Sequence, residues 1–114
     1  MPKIIVPVVT IFDDEEKPDF EGNKKVIDFL LNGGVDEILV LGSTGEFTTL
    51  DVHEKEQFFH FYFDYVGDRA ELYAGTMCPD YRDTVYLSNS VISMGYVAPL
   101  IIGPSYYALD QNGL

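Results

Sequence analysis

Four short runs of β-branched and aliphatic residues, with a helically spaced segment after each of the first three, constrain this chain more than any other feature. Ile4-Ile5-Val6-Pro7-Val8-Val9 reads as a first strand. The polar stretch Asp13–Pro18 then makes a loop, and Asp19 is placed to cap a helix that carries Val26, Ile27, Leu30 and Leu31 on one face. Asn32-Gly33-Gly34 stops that helix, because glycine takes the left-handed conformation without a Cβ clash. A second strand, Ile38–Leu41, and the loop Gly42–Thr49 follow. Asp51 and Glu54 have the spacing of an acidic capping box and open a helix through about Tyr65, dense in aromatics (Phe58, Phe59, Phe61, Tyr62, Phe63). Leu72-Tyr73-Ala74 is a short third strand. Asp80 caps a third helix that uses Val85, Val91 and Ile92 and is closed by Gly95. Val97–Ile102 forms a fourth strand.

Strand and helix alternate at roughly thirty residues per unit, the pattern of a parallel sheet with right-handed crossovers. Two architectures share that order. One is an open doubly wound sheet, complete near this length. The other is a (β/α)8 barrel of about 250 residues, of which this would be the first half. Periodicity does not separate them, although the open sheet needs a final helix over its last strand and none is encoded here.

Composition narrows the function classes. The 114 residues suit one domain, and Asp+Glu 19 against Lys+Arg 7 give a net charge of -12. Such acidity argues against nucleic acid, whose phosphates are bound by Lys and Arg, and against an anionic membrane surface. The single cysteine, Cys78, makes no internal disulfide and favours a reducing cytoplasm. The run Ile4–Val9 is too short to span a bilayer.

Chemistry in either architecture sits at the C-terminal ends of the strands. The richest loop there is Gly42-Ser43-Thr44-Gly45-Glu46-Phe47-Thr48-Thr49. Glycines flanking two hydroxyl residues let the backbone turn sharply and present N–H groups as a nest for a carboxylate or phosphate. The alternative is an ordinary βα turn whose hydroxyls bond to the backbone. The loop is neither a Walker motif nor a GxGxxG motif. After the fourth strand, Pro104-Ser105-Tyr106-Tyr107 places tyrosine hydroxyls where they could relay a proton or anchor an interface. His53 and His60 lack the i, i+4 spacing of a helical metal pair, so no metal is expected. Cys78, in the third loop, could be exposed but has no histidine near in sequence. The acidic cluster Asp13–Glu16 reads as a solvated loop, and the aromatic run as packing.

Taken together, these segments resemble the dihydrodipicolinate synthase / N-acetylneuraminate lyase family of class I aldolases. The likeness is carried by Pro7-Val8-Val9-Thr10 with Phe12; by Gly33-Gly34-Val35-Asp36 leading into Leu41-Gly42-Ser43-Thr44-Gly45-Glu46-Phe47; by Ala74-Gly75-Thr76; and by Gly95, Leu100-Ile101-Ile102 and Pro104-Ser105-Tyr106-Tyr107. It implies a (β/α)8 barrel, with residues 1–114 as the N-terminal half of a single barrel domain. It also implies a lysine Schiff base with a pyruvate-like 2-oxo acid, an aldehyde as second substrate or product, no cofactor, and a homo-oligomer. Ser43 and Thr44 would hold the 2-oxo acid carboxylate, Ser43 and Tyr107 would relay protons, and Tyr106 would line an interface.

The sequence departs from the family pattern at Thr10-Ile11, where Thr-Pro is usual, at Gly103, where a threonine is usual, and at Met77-Cys78-Pro79. The loop following Tyr107 is about one residue short by the same comparison. The family's Schiff-base lysine lies on the sixth strand and would fall beyond Leu114. Of the lysines present, Lys3 precedes the first strand, Lys24, Lys25 and Lys55 belong to outer helices, and Lys17 sits in a solvated loop. The leading expectation is therefore an N-terminal portion of a lyase, inactive alone. The alternative is a non-catalytic half-barrel homodimer that binds a small carboxylate, and a flavodoxin-like binding domain is a third reading.

Overall fold

The computed structural model describes residues 2–103 together with Asp110 and Asn112. The aliphatic runs become four parallel strands, β1 (Ile5–Pro7), β2 (Glu37–Val40), β3 (Glu71–Gly75) and β4 (Ala98–Leu100), in the order β1-β2-β3-β4. Between them lie helices α1 (Phe20–Asn32), α2 (Val52–Val66) and α3 (Tyr81–Met94). Register is continuous across the sheet: Pro7 pairs with Leu39, Leu39 with Tyr73, and Tyr73 with Ala98.

Local chemistry sets the helix ends. Asp19 accepts from the Gly22 N–H at 2.9 Å, and Asp80 from the Arg82 N–H at 2.9 Å. Asp51 and Glu54 form the reciprocal capping box, with bonds of 2.8 and 3.1 Å. Past the end of α1, Gly34 takes φ 89, the left-handed conformation expected of that diglycine.

Sequential strand order decides the architecture. A doubly wound sheet reverses direction at a switch point and carries helices on both faces. Here each parallel strand lies beside its predecessor, so right-handed crossovers put every helix on the same face. Burial agrees. Val8, Ile38, Val40, Leu72 and Ala74 are buried in one cluster with Ile27, Phe58, Phe59, Tyr62, Leu87 and Val91 from the helices. The alternate residues Ile5 and Leu100 are exposed on the other face. This is the β1–β4 portion of a (β/α)8 barrel, with its lumen-facing side opposite the helices.

Two details differ from the sequence-based expectation. The outer strands are shorter than Ile4–Val9 and Val97–Ile102, and each includes a proline, which removes a ladder N–H. On α3, Val85 and Ile92 are exposed, whereas Thr84, Leu87 and Val91 are buried. Residues 84, 87 and 91 share one helical stripe, and Val85 and Ile92 stand about 100° further round. A threonine in the buried stripe hid the true face.

Two buried polar side chains of the helix layer, Asn23 and Tyr96, are paired. The Asn23 amide donates to the carbonyls of Ile11 and Asp19 and accepts from the Ile11 N–H and the Tyr62 hydroxyl. The Tyr96 hydroxyl donates to the Phe59 carbonyl at 2.7 Å. Burial holds both tyrosine hydroxyls well above the usual phenol range. Among the described residues, no helix is long and apolar enough to cross a membrane.

Candidate functional site

At the C-terminal end of β2 the chain turns on a residue that pays for it sterically. Leu41 is buried and left-handed, with φ 56, although it carries a branched side chain. The loop then closes in two successive turns, with Gly45 N–H donating to the Gly42 carbonyl and Glu46 N–H to the Ser43 carbonyl, both at 3.0 Å. Gly45 lies against the ends of two strands: a Cβ there would stand 3.1 Å from the Leu41 Cα and from the Val8 carbonyl oxygen. The buried Thr10 hydroxyl fastens this arrangement by donating to the Gly45 carbonyl at 2.6 Å.

The consequence is an exposed apex made of Ser43 and Thr44. Among the described residues, neither their N–H groups nor their hydroxyls make a hydrogen bond. They stand at a cavity of about 230 Å³ whose walls are largely apolar, including Leu39, Phe47, Met77 and Leu100. A small anion with a short carbon skeleton suits that combination: donors at one end and hydrocarbon around the rest.

The third loop contributes a feature that sequence reasoning missed. Lys55, one turn into α2, is 3% exposed and is the only charged side chain among the described buried residues. Its ammonium donates to the Met77 carbonyl at 3.2 Å and to Cys78 Sγ at 3.4 Å, and lies 5.5 Å from the centre of the Phe47 ring. A lysine between Glu54 and Glu56 reads as a solvated outer-helix residue, and no local pattern signals otherwise. Cys78, whose exposure the sequence leaves open, is 4% exposed. Its N–H donates to the Thr84 hydroxyl at 2.8 Å, which folds the loop over the thiol.

Two other lysines form ion pairs on the surface. Lys3 pairs with Glu37 and Glu71 where the strands begin, at the end opposite the cavity, and Lys24 pairs with Glu21. Among the described residues, no group of His, Cys, Asp and Glu side chains is arranged to hold a metal ion. Tyr106 and Tyr107 lie outside the described residues.

Comparison with known proteins bears on this geometry. The family model described as the dihydrodipicolinate synthetase family matches residues 1–114. The chain belongs to that family. A 4-hydroxy-tetrahydrodipicolinate synthase from Heliobacterium modesticaldum is 37% identical over 111 residues, which are 97% of this chain and 37% of the relative. One from Pseudomonas aeruginosa is 36% identical over 110 residues, 96% of this chain and 38% of the relative. The crystal structure of YagE, a prophage protein of the dihydrodipicolinic acid synthase family from E. coli K12, in complex with pyruvate, superposes with a TM-score of 0.90. It is 34% identical, with 96% of this chain and 37% of that chain covered. Dihydrodipicolinate synthase from Aquifex aeolicus superposes with a TM-score of 0.89 at 30% identity, covering 99% of this chain and 38% of that one. The chain thus spans well under half the length of these dihydrodipicolinate synthetase family relatives.

Proposed function

We propose that residues 1–114 supply the N-terminal half of a (β/α)8 lyase domain that acts on a pyruvate-like 2-oxo acid through a lysine Schiff base. The observation that carries this reading is the exposed Ser43–Thr44 pair, with donors free of partners among the described residues, at the mouth of a small apolar cavity. The pyruvate complex of YagE, whose chain is 34% identical to this one, supports the choice of ligand. Ser43 and Thr44 hold the carboxylate through N–H and hydroxyl groups, so local dipoles supply the positive potential that a net charge of -12 denies.

With the carboxylate fixed, the 2-oxo carbon is presented to a Schiff-base lysine that is not among residues 1–114. Amine addition and loss of water form the Schiff base, and proton removal at the neighbouring carbon gives an enamine that adds to an aldehyde, or is released from one in reverse. Ser43 and Tyr107 move the protons. The working enzyme is a homo-oligomer.

Pyruvate and borohydride test the division of labour. The 114-residue chain should bind pyruvate without forming a reduced covalent adduct. An adduct at stoichiometric yield would place the Schiff-base lysine within this chain and overturn the reading.

A second reading, a half-barrel homodimer that binds a carboxylate without catalysis, draws support from the edges of the described sheet. β1 and β4 are the outer strands of that sheet, and unpaired strand edges invite pairing. Sedimentation of a discrete dimer would favour it, and a monomer would dismiss it.

A further inference from the structure

Burying an ammonium without a carboxylate partner is costly, and no ion pair among the described residues includes Lys55. What the ammonium does touch is informative. Its two hydrogen-bond acceptors, the Met77 carbonyl and Cys78 Sγ, belong to the loop after β3. Its third neighbour, the face of Phe47, belongs to the segment that follows the Ser43–Thr44 apex. Phe47 and Met77 both line the cavity, on different loops. One buried cation therefore joins the two loops that form the apolar wall beside the anion-binding apex.

We propose that Lys55 is a positioning residue for this site: it sets the spacing of Phe47 and Met77, and its charge biases the cavity toward anionic ligands. The helix frame makes the arrangement rigid. Lys55 N–H donates to the Asp51 carbonyl at 3.0 Å, so the lysine is held in the first turn of α2, which the capping box fixes. The opposite loop is fixed by the bond from Cys78 N–H to Thr84 and by that between the Thr76 and Ser88 hydroxyls. Between two anchored loops, an ammonium with directional donors specifies a distance that an aliphatic side chain would leave open. The charge component rests on the 2-oxo acid reading above, whereas the spacing component does not.

The test uses the whole chain with its methionine methyls carbon-13 labelled. Met77 reports on the cavity wall, and Met94, on α3, serves as a control. In Lys55→Leu the Met77 methyl signal should shift or broaden while that of Met94 holds, and Lys55→Arg should restore the Met77 signal. If Lys55→Leu does not fold, Lys55→Gln is read by the same criterion. A Met77 signal unmoved in a folded variant would overturn the proposal, as would equal disturbance in Lys55→Leu and Lys55→Arg.

Pyruvate and its neutral amide then separate charge from packing. Pyruvate should bind Lys55→Leu on the order of tenfold more weakly than wild type, with the amide little affected. Equal weakening of both would reduce Lys55 to a packing role and overturn the charge component. Absence of any pyruvate response in wild type would instead count against the 2-oxo acid reading and against the charge component, leaving the spacing component to the Met77 signal.

Discussion

The carbonyl of Leu41 occupies the space that a Cβ on Gly75 would need. The carbonyl carbon itself would stand 2.8 Å from such a Cβ. Because Leu41 is left-handed, its carbonyl swings across the end of β3, and only glycine at position 75 admits it. The strained turn that presents Ser43 and Thr44 is thus accommodated by a residue on the neighbouring strand.

Gly75→Ala should therefore do more than cost stability. Ordinary Gly→Ala changes in compatible backbone are neutral or stabilising, whereas this one forces either β3 or the Leu41 turn to move, at a cost of about 2 kcal/mol or more. Urea unfolding should register that loss, and amide signals of Ser43 and Thr44 should shift in the folded variant. A fully stable Gly75→Ala chain with unchanged loop signals would contradict this packing.

Asn23 is the structural counterpart on the helix side. Its amide satisfies both backbone groups of Ile11, the Asp19 carbonyl and the Tyr62 hydroxyl, in a fully buried position. Asn23→Leu strands several polar groups at once and should destabilise the chain by about 3 kcal/mol, whereas Tyr62→Phe, which removes one bond, should cost about 1 kcal/mol. Chemical denaturation of the two variants checks the ordering, and equal losses would refute it.

Stability should fall on the alkaline side. The Tyr62 and Tyr96 hydroxyls are held above their ordinary value of 10.0 by burial, Tyr96 well above it. Above that ordinary value the unfolded chain releases both protons while the folded chain keeps them, so rising pH favours unfolding. The stabilising contribution is complete below pH 10.0 and is lost progressively above it. Tyrosinate absorbance and far-ultraviolet circular dichroism, followed together, should show these two tyrosines ionising with unfolding. Their titration in a still-folded chain would contradict the assignment.

How much of this was legible in the sequence follows from the range of the interactions involved. The caps at Asp19, Asp51 and Asp80, the diglycine stop and the strand–helix alternation are local, and the sequence carries all of them. The Gly42–Glu46 turn was visible as a nest, but that it leans on Thr10, Val8 and Gly75 was not, because those contacts join separate strands. The burial of Lys55 and Cys78 was hidden for the same reason: a charge flanked by glutamates gives no local sign of the distant loop that closes over it. The exposed Val85 and Ile92 show the limit of hydrophobic spacing where a threonine fills one core position.

At the anion site, each hydroxyl should contribute separately. Thr44→Val and Ser43→Ala should each weaken pyruvate binding by about tenfold, since each removes a donor to a carboxylate. Both residues are exposed, so unfolding midpoints should hold. Equilibrium titration with pyruvate, paired with thermal melts, separates the two quantities, and unchanged affinity in both variants would remove the hydroxyls from the site.

Titration of the nitrogen-15-labelled chain with pyruvate tests the central claim most directly. Saturable shifts should be centred on the amides of Gly42, Ser43 and Thr44, with the amides of Asn23 and Gly34 unmoved. Saturable shifts centred elsewhere, or none at the Ser43 and Thr44 amides under saturating pyruvate, would contradict it.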